Sequence, residues 1–181
     1  MKKGPATLAP DHLRFHRRQP SAGVMHCLVL DCSGSMLKGH NLSLAKGLLM
    51  HWSGRIYQAR GQMAVIGFSG EGAKVLQSPT RAGPRNEQWI RPIAGGGGTP
   101  VAAGLRLAEQ LVTRARRSKP LTVVLWLLSD GRFDPLPLRP GFADTVGLVD
   151  FESTRVRLGR MPRLANAWDA PCWSIAQLIG R

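Results

Sequence analysis

A doubly wound α/β fold is predicted by three features of the sequence. The sheet should be mostly parallel with one antiparallel edge strand, and helices should cover both faces. First, strand-like and helix-like segments alternate along the chain, the pattern of a sheet wound with crossover helices. Second, the apolar run from Leu121 to Leu128 suits a central parallel strand covered on both faces. Third, Met63–Phe68, the turn Gly70-Glu71-Gly72 and Ala73–Leu76 read as a hairpin, so one edge is antiparallel.

The elements follow in order. Residues 1–22 carry Pro5, Pro10 and Pro20 among dense charge and read as a basic N-terminal arm, with one domain over 23–181. His12 and His16 can share a helical face, but nothing near them completes a metal site, so they read as solvated. The first strand covers residues 24–30. Asn41 then caps a helix over 42–59, where Leu42, Ala45, Leu48, Leu49 and Trp52 recur at helical spacing and Gly61 ends the run. Residues 84–93 form a short helix, followed by the glycine run Gly95–Gly98. Thr99 is the expected N-cap and Pro100 the first residue of a strong helix. Its apolar face carries Val101, Leu105, Ala108, Leu111, Val112 and Ala115; its polar face carries Arg106, Glu109, Gln110, Arg114 and Arg117. After the strand at 121–128 comes a loop with Pro135, Pro137 and Pro140. A strand at 145–150, a short helix at 160–167, a strand at 172–174 and a terminal helical turn at 175–179 complete the chain.

Bulk properties narrow the function. At 181 residues and 43% hydrophobic, the chain can bury one proper core. No stretch approaches the roughly 20 apolar residues of a membrane helix. The basic N-terminus has no apolar segment behind it, so no secretory signal is read. Cys27, Cys32 and Cys172 cannot all pair, and no C-x-x-C motif offers structural zinc. These features point to the cytoplasm. The net charge of +14 raises the question of nucleic acid. The arginines are spread over 14–18, 81–91, 114–117 and 155–163, without recurring aromatic residues or a nucleic-acid-binding signature. They read first as a solvated surface, second as a docking surface for an acidic protein partner, and last as a nucleic-acid site.

The chemistry concentrates at Asp31-Cys32-Ser33-Gly34-Ser35. This D-x-S-x-S turn closes the first strand, at the sheet end where open α/β folds bind ligands. Its hard oxygens suit Mg²⁺, or Mn²⁺ in its place. Thr99 follows the glycine run and Asp130 ends the strand through Ser129, so both belong to the same end of the sheet. The candidate metal site is therefore Asp31, Ser33, Ser35, Thr99 and Asp130. Ser33 and Ser35 would coordinate directly, Thr99 directly or through water, and Asp31 and Asp130 through metal-bound waters. An ion with few charged ligands stays electrophilic and leaves a position for a partner's carboxylate. Each residue alone has a plainer reading as a turn or cap residue; the ordered set does not. No G-x-x-x-x-G-K-[ST] is present, and the glycine run lacks the nearby lysine of a phosphate cradle. No nucleophile–base pair stands out, so no catalytic residue and no organic cofactor are assigned. His26 reads as a core residue, His40 and His51 lack partners, and the five tryptophans read as core or interface packing.

The D-x-S-x-S turn, the later threonine and the aspartate after an apolar strand resemble the metal-ion-dependent adhesion site of von Willebrand factor A domains. A closer resemblance is to the C-terminal A domain of the magnesium chelatase D subunit. It rests on Arg14–Arg18, Val29–Met36, Ile66–Ala73 with its G-E-G-A turn, Gly96–Leu105, Leu128–Arg132 and the D-x-E-S at Asp150–Ser153. The resemblance covers about residues 14–180. In that family the D subunit works with an AAA+ ATPase subunit and a large tetrapyrrole-binding subunit to insert Mg²⁺ into protoporphyrin; related assemblies insert cobalt into a corrin. The resemblance implies an accessory adaptor without activity of its own, its metal binding an acidic residue of a partner and coupling the ATPase cycle. The family's AAA+-like domain and acidic linker do not precede the A domain in these 181 residues, so a free-standing short form is expected. An adaptor for a MoxR-type AAA+ ATPase is the alternative. A nucleic-acid-binding protein ranks below both. A Mg²⁺-dependent phosphoesterase lacks a general base.

Overall fold

The computed structural model describes residues 23–83, 86–153 and 157–179. The basic arm expected over 1–22, with its His12/His16 pair, lies outside these residues. The strands are β1 Gly23–Asp31, β2 Gln62–Ser69, β3 Gly72–Arg81, β4 Leu121–Ser129, β5 Thr145–Asp150 and β6 Cys172–Ser174. The helices are α1 Asn41–Gln58, α2 Glu87–Ile90, α3 Val101–Ser118, α4 Arg160–Trp168 and α5 Ile175–Ile179. The six strands form one sheet in the order β3-β2-β1-β4-β5-β6. All neighbours are parallel except β2 and β3. The predicted fold class and its antiparallel edge are both present.

Alternation of side chains along β1 and β4 divides the core into two layers. Met25, Cys27, Val29, Val123, Leu125 and Leu127 pack with the apolar face of α3 and with α4, including the buried Trp168. Leu28, Leu30 and Leu128 face the other way, against Leu42, Ala45 and Leu49 of α1. Among the described residues, no helix is long and apolar enough to cross a membrane.

Several local expectations are corrected. A 3₁₀ segment, Gly34–His40, follows the D-x-S-x-S turn and was not anticipated. Asn41 is not an N-cap; it is the first helical residue, and its side-chain Nδ2 donates to the Phe151 carbonyl at 2.8 Å. Asn41 thereby ties the start of α1 to the end of β5, and its Oδ1 is buried without a hydrogen-bond partner among the described residues. Thr99 does not cap α3: Pro100 occupies that position, with no side-chain capping bond. Strand β3 runs past Leu76 to Arg81, whereas helix α2 is confined to Glu87–Ile90. Helix α1 ends in a Schellman arrangement, in which Arg60 (φ 56°) takes the left-handed position and the Gly61 N–H donates to the Ile56 carbonyl at 2.9 Å.

His26 is not in the core. It is half-buried on the α1 side of β1, where Val24 is 41% exposed, and it lines a groove with His51, Trp52, Arg55 and Trp126. Burial lowers its pKa from the ordinary histidine value. Trp126 stacks between Trp52 and Trp173, with centroids 4.6 and 5.6 Å away. Gly147 on β5 makes room for that ring, since a Cβ there would lie 2.4 Å from Trp126. Gly147→Ala should therefore destabilise the protein by about 1–3 kcal/mol, the ordinary cost of overpacking. A denaturant midpoint unchanged from wild type would show that the indole moves aside without cost.

Candidate metal centre

The chain leaves β1 toward β2 on one side, while β4 lies on its other side, so the crevice between β1 and β4 is the topological switch point of the sheet. Asp31 ends β1 and Ser129 ends β4, one step beyond the paired residues Leu30 and Leu128. Asp31 is fully buried, and Ser33, Ser129 and Asp130 are nearly so. One Asp31 oxygen accepts the Ser33 backbone N–H at 2.8 Å, closing the turn that carries the hydroxyls. The other accepts the Ser129 hydroxyl at 2.5 Å, and the same Ser129 oxygen accepts the Gly131 N–H at 3.0 Å. The Ser33 and Ser35 hydroxyl oxygens are 3.1 Å apart.

The glycine run brings Thr99's loop to this turn. The Gly96 N–H donates to the Cys32 carbonyl at 2.8 Å, and the Gly34 N–H donates to the Gly97 carbonyl at 2.9 Å. On the other side, the Gly70 N–H donates to Gly98 at 3.1 Å. Gly97 has φ 74°, and a Cβ there would sit 2.7 Å from the Gly70 Cα. The run is glycine because backbones from the β1 and β2 ends close on it, which accounts for it without a phosphate.

Electrostatics distinguish the two site carboxylates. Asp130 is faced by Arg132, whose Nε is 3.5 Å from its Oδ2, and it accepts the Arg132 N–H at 3.2 Å. Asp31 has no cationic partner among the described residues. Burial pushes the Asp31 carboxyl up from its ordinary pKa; hydrogen bonds from Ser129 and Ser33 oppose the rise, and the charge of Asp130 adds to it. A third acid was missed by sequence reasoning. Asp150 ends β5, pairs in register with Ser129, and has its pKa raised by burial and by the charges of Glu152 and Asp130. Ser129 was also passed over, although its position at the strand end beside Asp130 was the available signal. Among the described residues, no three His, Cys, Asp or Glu side chains gather into a site. The donors here are hydroxyls backed by buried carboxylates, a hard-oxygen set that fits Mg²⁺ or Mn²⁺. A cation would supply the positive charge that Asp31 lacks.

Two outcomes follow. An acid whose pKa is raised on folding destabilises the fold progressively as pH climbs from the ordinary carboxylate range through its folded pKa. Metal-free wild type should therefore lose stability relative to Asp31→Asn over that rise, as read by denaturant melts. Equal pH slopes would exclude an uncompensated charge at Asp31. Mg²⁺ at about 100 times its dissociation constant should restore about 2.7 kcal/mol to wild type and much less to Gly97→Ala, in which the loop carrying Thr99 is displaced.

The von Willebrand factor type A domain model matches residues 27–132. The chain is 33% identical over 190 aligned residues to an uncharacterized protein of Mycobacterium tuberculosis, covering 97% of this chain and 30% of that protein. It is 34% identical over 120 residues to the magnesium-chelatase 60 kDa subunit of Rhodobacter capsulatus, covering 66% of this chain and 21% of the subunit. It thus spans less than a third of the length of either relative. Among solved structures, the SpRpn10 VWA domain superposes with a TM-score of 0.66 at 10% identity, covering 87% of this chain and 94% of that domain. With its D-x-S-x-S turn at the switch point and a matching model over more than half its length, the chain belongs to the von Willebrand factor type A domain family.

Proposed function

We propose that this chain is a metal-dependent adaptor of an ATP-driven tetrapyrrole metal chelatase, acting in the cytoplasm between an AAA+ ATPase subunit and a large tetrapyrrole-binding subunit. The observation that carries the reading is Asp31: a fully buried carboxylate without a cationic partner among the described residues, set beside paired serine hydroxyls at the switch point. Similarity to the Rhodobacter capsulatus chelatase subunit supports the association with a chelatase.

Ser33, Ser35 and Thr99 would hold Mg²⁺, or Mn²⁺, through their hydroxyls, while Asp31 and Asp130 would balance its charge from the outer layer. The bound ion would supply a Lewis-acidic position open to a carboxylate from the partner. The chain's own residues do the rest. Asp31 holds the D-x-S-x-S turn through the Ser33 N–H, and Ser129 fixes the Asp31 carboxylate against β4. The Gly34–Gly97 and Gly96–Cys32 bonds clamp Thr99's loop to the turn. Hydroxyl ligands suit docking better than hydrolysis, since no histidine is among the site residues to act as a base. The Mg²⁺ or Co²⁺ inserted by such a complex is cargo and separate from this ion.

Co-elution with the AAA+ chelatase subunit of the same organism tests the reading. A complex should form with Mg²⁺ and ATP, dissolve in EDTA, and be lost in a Ser35→Ala/Asp130→Ala variant that remains folded by circular dichroism. A complex indifferent to EDTA and to the variant would overturn metal-dependent docking. No complex in any condition would overturn the chelatase association.

A further inference from the structure

Most acids among the described residues are committed to local partners. Glu87 pairs with Arg91, Asp144 with Arg116, Asp130 with Arg132 and Asp134 with Arg160. The Glu152 carboxylate accepts the N–H groups of Leu158 and Gly159. The outward face of α3 differs. Arg106, Arg114 and Arg117 are exposed there, and none of them forms an ion pair among the described residues. Together with Glu109, Gln110 and Thr113 they line a shallow groove of about 460 Å³. At about 1.5 Å per residue, the stripe from Arg106 to Arg117 is about 16 Å long. A helix favours cations in its last turn, which accounts for Arg117 but not for Arg106 or Arg114. A second groove shares Arg114 with the first and is lined by Leu111, Ala115 and Lys119, with Ser78 and Pro79 of β3.

We infer that this stripe is a docking surface for an acidic, extended segment of a partner protein. Three unpaired guanidiniums on one face complement a row of carboxylates, and each can bind one bidentately. The aliphatic floor of Leu111, Ala115 and Pro79 can take the apolar side chains between them. A nucleic acid fits less well. Among the described residues the groove offers no aromatic ring for a base to stack on. Pro79 removes a donor from the edge strand β3, so the segment lies along α3 and does not extend the sheet. The surface needs no metal, and so it stands or falls separately from the metal centre.

The test is fluorescence anisotropy, in EDTA, with a labelled peptide of alternating Glu and Ala long enough to span the stripe. The full chain should bind it at about 0.05 M salt and release it as salt approaches about 0.3 M. Arg106→Gln/Arg114→Gln/Arg117→Gln should weaken binding about tenfold or more, whereas Arg60→Gln/Arg139→Gln/Arg163→Gln, with the same change in net charge, should weaken it less than about twofold. Glu109→Gln should tighten it. All substituted side chains are exposed, so the variants should melt with wild type. Equal losses in the two triple variants would reduce the effect to net charge and overturn the surface. So would failure of wild type to bind the peptide, or displacement of the peptide by a single-stranded oligonucleotide of equal charge at lower concentration.

Discussion

The buried Asp31 carboxylate organises the upper end of the sheet. One oxygen holds the Ser33 N–H and so shapes the turn leaving β1; the other holds the Ser129 hydroxyl and so aligns the end of β4. Ser129 passes the constraint on through its bond from the Gly131 N–H. A single acid thus sets how two central strands hand the chain to their loops. Burying such a charge without a cation costs several kcal/mol, and these hydrogen bonds offset part of it. Among the described residues no cation meets the remaining electrostatic demand, which sets this crevice apart from a set of well-capped turns.

A second constraint is the closeness of backbones. The loop before α3 lies against the β1 and β2 ends through Gly96, Gly97 and Gly98, and side chains at Gly97 and Gly98 would press on the Gly70 backbone and hold the segments apart. The loop that carries Thr99 therefore meets the D-x-S-x-S turn through backbone that has no side chains. The same loop delivers the start of α3 to the switch-point end of the sheet, while the helix carries its arginine stripe onward from it. The hydroxyl-bearing loop and the guanidinium stripe thus follow one another along one stretch of chain.

Periodicity made most of the fold legible. The apolar runs at 24–30 and 121–128, interrupted only by His26 and Thr122, read as strands, and the split faces of α3 read as an amphipathic helix. The errors arose where a short-range reading competed with a distant partner. Asn41 has the composition of a cap, but the Phe151 carbonyl, far along the chain, takes its amide. His26 sits in an apolar strand, but no helix covers that part of the α1 face fully, so it lines a groove. Strand β3 continues through polar residues because an antiparallel edge needs only its partner's hydrogen bonds, not a buried face.

The sequence by itself determined the fold class and the antiparallel edge, because apolar period and turn signals are local properties of the chain. Only the tertiary structure decided that Thr99 is free of capping, that Ser129 is Asp31's second partner, that Asp150 joins the same end of the sheet, and that Arg106, Arg114 and Arg117 form no ion pair among the described residues. Each of these depends on which strand lies beside which and on what covers a face. Such relations are set by long-range packing, on which the pattern of neighbouring residues is silent.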